Sequence, residues 1–91
     1  MNQCLHITFL SKSTKKILPD LQQKAREVAL EGSARTEGEN QAIVVVCGPK
    51  DKINDFVDFL YQEVAKKTIE NLMIEPMLRA KDYRGIFRVI E

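Results

Sequence analysis

The sequence predicts one α+β domain, in which two helices pack on one face of an antiparallel sheet in the order β-α-β-β-α-β, followed by a short extra strand. Three observations lead to this prediction. Residues 4–10 alternate with a period of two, residues 42–47 form a continuous apolar run behind a tight turn, and residues 53–64 carry an apolar stripe at helical spacing. Residues 1–91 leave room for one core, and 44% hydrophobic with 30% charged residues suits a folded globular domain.

The residue pattern in the first third of the chain predicts a strand, a loop and a helix. Alternate residues of 4–10 are apolar, which is typical of a strand with one buried face. Residues 11–16 are polar and lack an apolar period, so we expect an exposed loop that carries three lysines. Pro19 suits the first turn of a helix and Gly32 suits its end, with apolar residues at helical spacing between them.

The middle of the chain predicts a β-hairpin. Residues 33–36 and 41–47 are strand-like, and the turn-forming residues 37–40 separate them. Every residue of 42–47 is apolar, which suits a strand covered on both faces, or one whose outer face is covered by a partner. We therefore place this strand at the centre of the sheet.

The last part of the chain predicts a second helix and two strands. Residues 48–49, Gly-Pro, end the hairpin, and an amphipathic helix follows that closes near Lys67. A strand around Pro76 is expected at an edge of the sheet or at a bulge, because proline cannot donate a hydrogen bond to a neighbouring strand. Residues 87–90 form a last short strand, and the whole order is ferredoxin-like.

Charge and composition exclude several classes of partner. The 14 basic and 13 acidic side chains nearly cancel, which removes the global electrostatic reason to expect a nucleic acid or a membrane surface. The first residues do not read as a secretory signal, and no window has the length and apolarity of a membrane span. We expect a cytoplasmic protein.

Cysteine and histidine are too sparse for a metal or redox motif. Cys4 and Cys47 lie in strand-like apolar runs and are too far apart for a zinc knuckle or a CxxC pair, so we expect reduced, buried packing residues. His6 is the only histidine, which excludes a multi-histidine metal site and leaves no convincing catalytic triad. We expect no metal and no cofactor.

The positions of glycine and proline in this sequence resemble those of the acylphosphatase family. Its members are small ferredoxin-like enzymes that hydrolyse the carboxyl-phosphate bond of acyl phosphates. Gly32 stands where the family has the glycine that closes its first helix. Gly48 and Pro49 follow the hairpin at the family's separation, and residues 83–90 are similar to the family's closing strand. The resemblance implies the same fold and, where the catalytic residues are kept, the same hydrolysis.

The catalytic residues of that family do not appear at the matching positions. Its motif is G-x-V-Q-G-V-x-F-R, whose backbone N–H groups and arginine hold the phosphate; an ungapped alignment puts the glycine-bearing cradle on residues 11–17 and the arginine on Leu18. The family's asparagine, which orients the attacking water, falls on Thr36. The glycines of such a cradle are also missing, although converging N–H groups require them.

The lysine-rich loop is the candidate phosphate site. The alignment has no anchor between Phe9 and Pro19, so a shifted register would bring Lys15 or Lys16 to the arginine position, where a lysine binds an anion without the bidentate grip of arginine. A solvated turn is the alternative interpretation. The candidate phosphate-binding residues are Lys12, Ser13, Thr14, Lys15 and Lys16, with Thr36 as a candidate catalytic residue.

A basic C-terminal cluster offers a second candidate surface. It consists of Arg79, Lys81, Arg84 and Arg88. Ferredoxin-like domains that bind RNA stack bases on aromatic residues of their central strands, and residues 42–47 contain none. An acidic protein partner therefore fits this cluster better than RNA does.

Three functions remain open. The first is a degenerate acylphosphatase-like domain that binds an anion, such as a small phosphorylated ligand, or a protein partner. The second is an active acylphosphatase with a rebuilt lysine-containing loop and Thr36 positioning water. The third is a ligand-sensing regulatory domain that oligomerises through a strand edge or an apolar sheet face. The expected state is a monomer or a weak dimer.

Overall fold

A computed structural model describes residues 2–78 and 83–90. The elements in chain order are β1 (Asn2–Leu10), α1 (Thr14–Glu27), β2 (Glu31–Glu37), β3 (Gln41–Pro49), α2 (Lys50–Ala65), β4 (Glu70–Met77) and β5 (Phe87–Ile90). The ferredoxin-like arrangement predicted from the sequence is confirmed. Arg79, Lys81 and their neighbours up to residue 82 lie outside the described residues.

The sheet has the strand order β4-β1-β3-β2-β5, which places β3 at the centre and β4 at an edge, as predicted. Pro76 therefore lies on an edge strand, where its missing N–H disrupts no ladder on the outer side. The expectation of an antiparallel sheet is wrong in one place, because β5 runs parallel to β2. Sequence patterning identifies a strand but carries no information on its direction relative to a strand that is distant in the sequence.

Helix α1 begins earlier than predicted. It starts at Thr14, with Ser13 as the N-cap residue, so residues 14–16 are not an exposed loop and Pro19 lies inside the helix. The proline deprives the carbonyl of Lys15 of its helical partner, and both residues are exposed, so water can bind that carbonyl. The polar composition of these residues reflects the exposed side of a helix rather than a loop.

The end of α1 also differs from the prediction. The helix ends at Glu27, and Ala29 adopts a positive φ of 58° before β2 begins. Gly32 is a residue of β2, with φ 145°, and a Cβ there would overlap the carbonyl oxygen of Val45 on β3. The glycine is therefore needed for the close approach of two strands rather than for ending a helix.

One hydrophobic core lies between the helices and the sheet. Alternate residues of each strand point into it, whereas neither α1 nor α2 packs on the other face of the sheet. Phe56 of α2 and Phe87 of β5 meet there with their ring centroids 6.2 Å apart. The largest completely buried side chains of the core include Ile7, Phe9, Leu21, Leu30, Ile53, Phe56, Leu60, Ile69 and Phe87.

Cys4 and Cys47 form a disulfide bond. The expectation of two reduced thiols is wrong, although both side chains are buried as predicted. The antiparallel pairing of β1 with β3 sets the two residues directly opposite each other, on the face of the sheet away from the helices. A sequence separation of 43 residues reveals nothing of this register, because it depends on which strands become neighbours.

Candidate functional site

The β1–α1 connection is held from two sides by one serine. Ser11 is 5% exposed, and its N–H donates to the carbonyl of Asn40 at the β2–β3 turn, with an N···O distance of 2.7 Å. Its hydroxyl donates to the carbonyl of Thr68 at 2.8 Å, between α2 and β4. The start of α1 is therefore fixed relative to both neighbouring connections.

A pocket of about 510 Å³ opens between the start of α1, the end of α2 and the start of β4. Three of the candidate phosphate-binding residues, Lys12, Ser13 and Lys16, line this pocket. Thr14 is buried in the first helical turn and, like the exposed Lys15, is not among the lining residues. The structure thus brings together three of the five candidates.

The pocket also contains residues that sequence analysis missed. They come from the other two elements at this end of the sheet: Glu63, Lys67, Thr68 and Glu70. No local pattern marks them. These residues come close to the β1–α1 connection only through the β1–β4 register. That register pairs Leu10 with Glu70 and places the two connections side by side.

The charges that line the pocket balance. Three lysines, Lys12, Lys16 and Lys67, face three carboxylates, Asp20, Glu63 and Glu70. The carboxylate of Glu63 is nearly buried and lies 3.4 Å from the ammonium group of the exposed Lys66. The pocket as a whole therefore offers no overall positive field to an anion.

The start of α1 has a local preference for an anion. The helix dipole makes this end positive, and Lys15 and Lys16 occupy the first turn, where acidic residues are favoured. A bound anion would compensate both positive contributions. Backbone N–H groups at a helix start are also suitable donors to phosphate.

The backbone nevertheless does not form a phosphate cradle. Within residues 11–17, the N–H of Ser13 donates to the hydroxyl of Ser11 at 3.2 Å, and the N–H groups of Lys16 and Ile17 donate to the carbonyl of Ser13. Together with the N–H of Ser11, these groups are engaged within the protein. At most the N–H groups of Lys12, Thr14 and Lys15 remain for an anion.

Leu18 and Thr36, which the ungapped alignment puts at the family's catalytic positions, do not line the pocket. Leu18 is 3% exposed and belongs to the hydrophobic core. Thr36 is exposed on β2 opposite Ala42 of β3, and it does not line the pocket. Because β3 separates β2 from β1, Thr36 lies roughly 10 Å from the end of β1. The structure does not bring Thr36 together with the lysines.

Three of the remaining candidates from the sequence, His6, Arg84 and Arg88, lie among the described residues. His6 lies on the sheet face away from the helices, and among residues 2–78 and 83–90 no cluster of histidine, cysteine or acidic side chains could hold a metal ion. Of the basic C-terminal cluster, Arg84 lies in a turn and Arg88 lies on β5. Within the described part of the chain, no helix is long and apolar enough to cross a membrane.

Comparisons with known proteins agree with the architecture. The model of the family described as acylphosphatase matches residues 18–88. The structure is similar to an acylphosphatase from Coxiella burnetii, with 23% identity, a TM-score of 0.79, and coverage of 98% of this chain and 93% of that one. An acylphosphatase from Bacillus subtilis gives 14% identity and a TM-score of 0.76 over the full length of both chains.

A third similar structure is part of a much larger protein. HypF from T. kodakarensis matches 98% of this chain with 18% identity and a TM-score of 0.77, and the match covers 12% of that protein. No curated protein sequence gives a significant match. At these identities the structural likeness concerns the fold, whereas the family match extends over most of the sequence.

Proposed function

Because this chain belongs to the acylphosphatase family, we propose that it is a member that has kept the fold, lost efficient acyl-phosphate hydrolysis, and binds a small phosphorylated ligand or another small anion at the start of α1. The observation that carries this proposal is the conversion of the cradle segment into helix. Residues 14–17 are helical, and Leu18, which the ungapped alignment puts at the family's arginine, lies in the core.

Loss of hydrolysis follows from the chemistry of the missing parts. A phosphoryl group in transfer needs donors that converge on its oxygens, and a guanidinium supplies two parallel hydrogen bonds that a leucine cannot make. Thr36, which the ungapped alignment puts at the family's asparagine, offers one hydroxyl where asparagine offers an amide. It therefore supplies fewer groups to orient an attacking water molecule.

Retention of anion binding rests on the remaining donors. Lys12 and Lys16 line the pocket, and the N–H groups of Lys12, Thr14 and Lys15 lie at the positive end of the α1 dipole. These groups bind a phosphate without needing the geometry that hydrolysis requires. The occurrence of the same fold as a small part of HypF agrees with a role as a module.

The first experiment measures hydrolysis of benzoyl phosphate. We expect release of phosphate at the rate of the buffer blank, with the Coxiella burnetii acylphosphatase as the positive control. A Lys15→Ala/Lys16→Ala variant and a matched Lys50→Ala/Lys52→Ala variant on α2 test the alternative. Turnover that is lost in the first variant and kept in the second would establish a rebuilt active site and contradict the proposal.

The second experiment measures binding of inorganic phosphate by NMR titration of the backbone amides. We expect saturable shifts at Lys12, Thr14 and Lys15 up to about 10 mM phosphate, a range that detects millimolar dissociation constants. A Lys12→Ala/Lys16→Ala variant should weaken binding several-fold, whereas Lys50→Ala/Lys52→Ala should not. Uniform small shifts, equal in both variants, would leave a family member without an anion site at this position.

A further inference from the structure

The sheet face away from the helices has an apolar centre. The central strand β3 is apolar throughout residues 42–47, and its residues Ile43 and Val45 point to this face, where they are only half-buried. At the two edges, Met73 of β4 is 57% exposed and Ile90 of β5 is 48% exposed. We use the term open face for this surface, which consists of His6, Thr8, Leu10, Ser33, Arg35, Glu37, Gln41, Ile43, Val45, Met73, Glu75, Arg88 and Ile90.

The strand registers arrange the open face in rows that run across the sheet. One row reads Glu75, His6, Val45, Ser33 and Arg88 from β4 to β5. An acidic side chain therefore ends the row at one edge of the sheet, and a basic side chain ends it at the other. Both end residues are exposed.

The next row repeats the arrangement with apolar ends. It reads Met73, Thr8, Ile43, Arg35 and Ile90 in the same direction. In both rows the β3 residue stands at the centre, with two strands on each side. The face is therefore complementary to itself when its two edges are exchanged.

We propose that the open face is the interface of a homodimer, in which two copies stack face to face about a two-fold axis that runs parallel to β3. This axis places β4 of one copy over β5 of the other. Glu75 then faces the Arg88 of the second copy, Met73 faces Ile90, and the two Val45 side chains meet at the centre. Sheets stacked in this way lie about 10 Å apart, with side chains of both faces interdigitating.

Charge complementarity selects a second copy in this orientation. The alternative two-fold axis also lies between the two sheets but runs perpendicular to the strands. It would place β4 over β4, so that Glu75 would face Glu75 and Arg88 would face Arg88. Like charges opposed across an interface destabilise it. The parallel axis instead opposes unlike charges twice, because the interface is isologous.

The area of the open face indicates a weak dimer. Five strands spaced about 4.8 Å apart span roughly 24 Å, and three outward residues along each strand span roughly 20 Å. Two such faces bury roughly 1,000 Å² in total, which is at the lower end for specific protein interfaces. Association should therefore depend on concentration in an accessible range rather than be permanent.

Sedimentation velocity of the full chain from about 5 µM to about 1 mM tests the proposal. We expect the sedimentation coefficient to rise with concentration from the monomer to the dimer value. Glu75→Arg and Arg88→Glu should each raise the dissociation constant about tenfold, since each change opposes like charges at two symmetric places. Glu27→Lys on the exposed surface of α1 is the matched control and should have no effect.

The double variant Glu75→Arg/Arg88→Glu decides the geometry. It exchanges the two charges, and we expect the dissociation constant to return to within about threefold of the original value. All substituted positions are exposed, and far-ultraviolet circular dichroism checks that the fold is kept. A chain that stays monomeric at about 1 mM, or a double variant no better than the singles, would overturn the proposal.

Discussion

Removal of the Cys4–Cys47 bond is expected to cause a large loss of stability while leaving the fold intact. The bond joins β1 to β3, the central pair of the sheet, and its sulfur atoms lie on the face away from the core. Breaking it removes no core packing. The effect therefore acts mainly on the unfolded chain, which gains the freedom that the cross-link denied it.

The magnitude follows from the length of the loop that the bond closes. For a sequence separation of 43 residues, the loop-closure relation gives an entropy of about 13 cal/mol/K, or about 4 kcal/mol at 25 °C. For a domain near 90 residues, each kcal/mol shifts the melting temperature by about 4–8 °C. We therefore expect a decrease of roughly 15–30 °C.

Urea unfolding measures this loss directly. The oxidised chain is compared with the same chain in reducing agent and with a Cys4→Ala/Cys47→Ala variant, which separates loss of the cross-link from loss of the sulfur atoms. Mass spectrometry after thiol labelling establishes the redox state of each sample. A reduced chain within about 1 kcal/mol of the oxidised one, or free thiols in the untreated protein, would refute the reasoning.

Three further predictions concern single residues. Leu18→Arg should lower the free energy of unfolding by roughly 3–5 kcal/mol, because it buries an unpaired charge, and should give no benzoyl phosphate hydrolysis; hydrolysis would contradict the assignment of the core position. Gly32→Ala should lower the free energy of unfolding in urea by more than about 3 kcal/mol. Gly38→Ala, where a Cβ meets open space at φ 71°, should lower it by only about 1–2 kcal/mol, and equal losses would contradict the close approach of β2 and β3. Ser11→Ala should lower the free energy of unfolding by about 1–3 kcal/mol, because its side-chain hydrogen bonds are lost. Ser13→Ala, whose side chain does not cap α1, should lower it by less than about 0.5 kcal/mol. The reverse order would show that Ser11 does not hold the β1–α1 connection.

The elements with strong periodicity could be predicted from the sequence. Helix α2 and the central position of β3 follow from apolar spacing, because burial of one face dictates the pattern directly. The start of α1 could not be predicted, since Pro19 is typical of a first turn but is tolerated further along the helix where its partner carbonyl faces water. The local sequence is compatible with a helix that starts at Thr14 and with one that starts near Pro19. Contacts from Ser11 to distant segments favour the earlier start.

The candidate site could be predicted only in part. Lys12, Ser13 and Lys16 were identified because they lie together in the sequence, and the structure keeps them together. Glu63 and Lys67 were missed, because they reach the pocket through the packing of α2 beside the start of β4. Together with Asp20 and Glu70, they turn a positive loop into a pocket of balanced charge, a property that belongs to the assembled fold.

The parallel pairing of β5 with β2 has a consequence for how the chain reaches its native state. Gly32 pairs with Phe87 across 55 positions of sequence, and Phe87 completes the core beside Phe56. As the chain emerges from the ribosome, the outer edge of β2 stays unpaired and the core stays open until residues 87–90 have been made. During that interval the β2 edge offers free backbone hydrogen-bonding groups to any neighbouring strand. A delay in the pairing of β5 would therefore favour aggregation through the edge of β2.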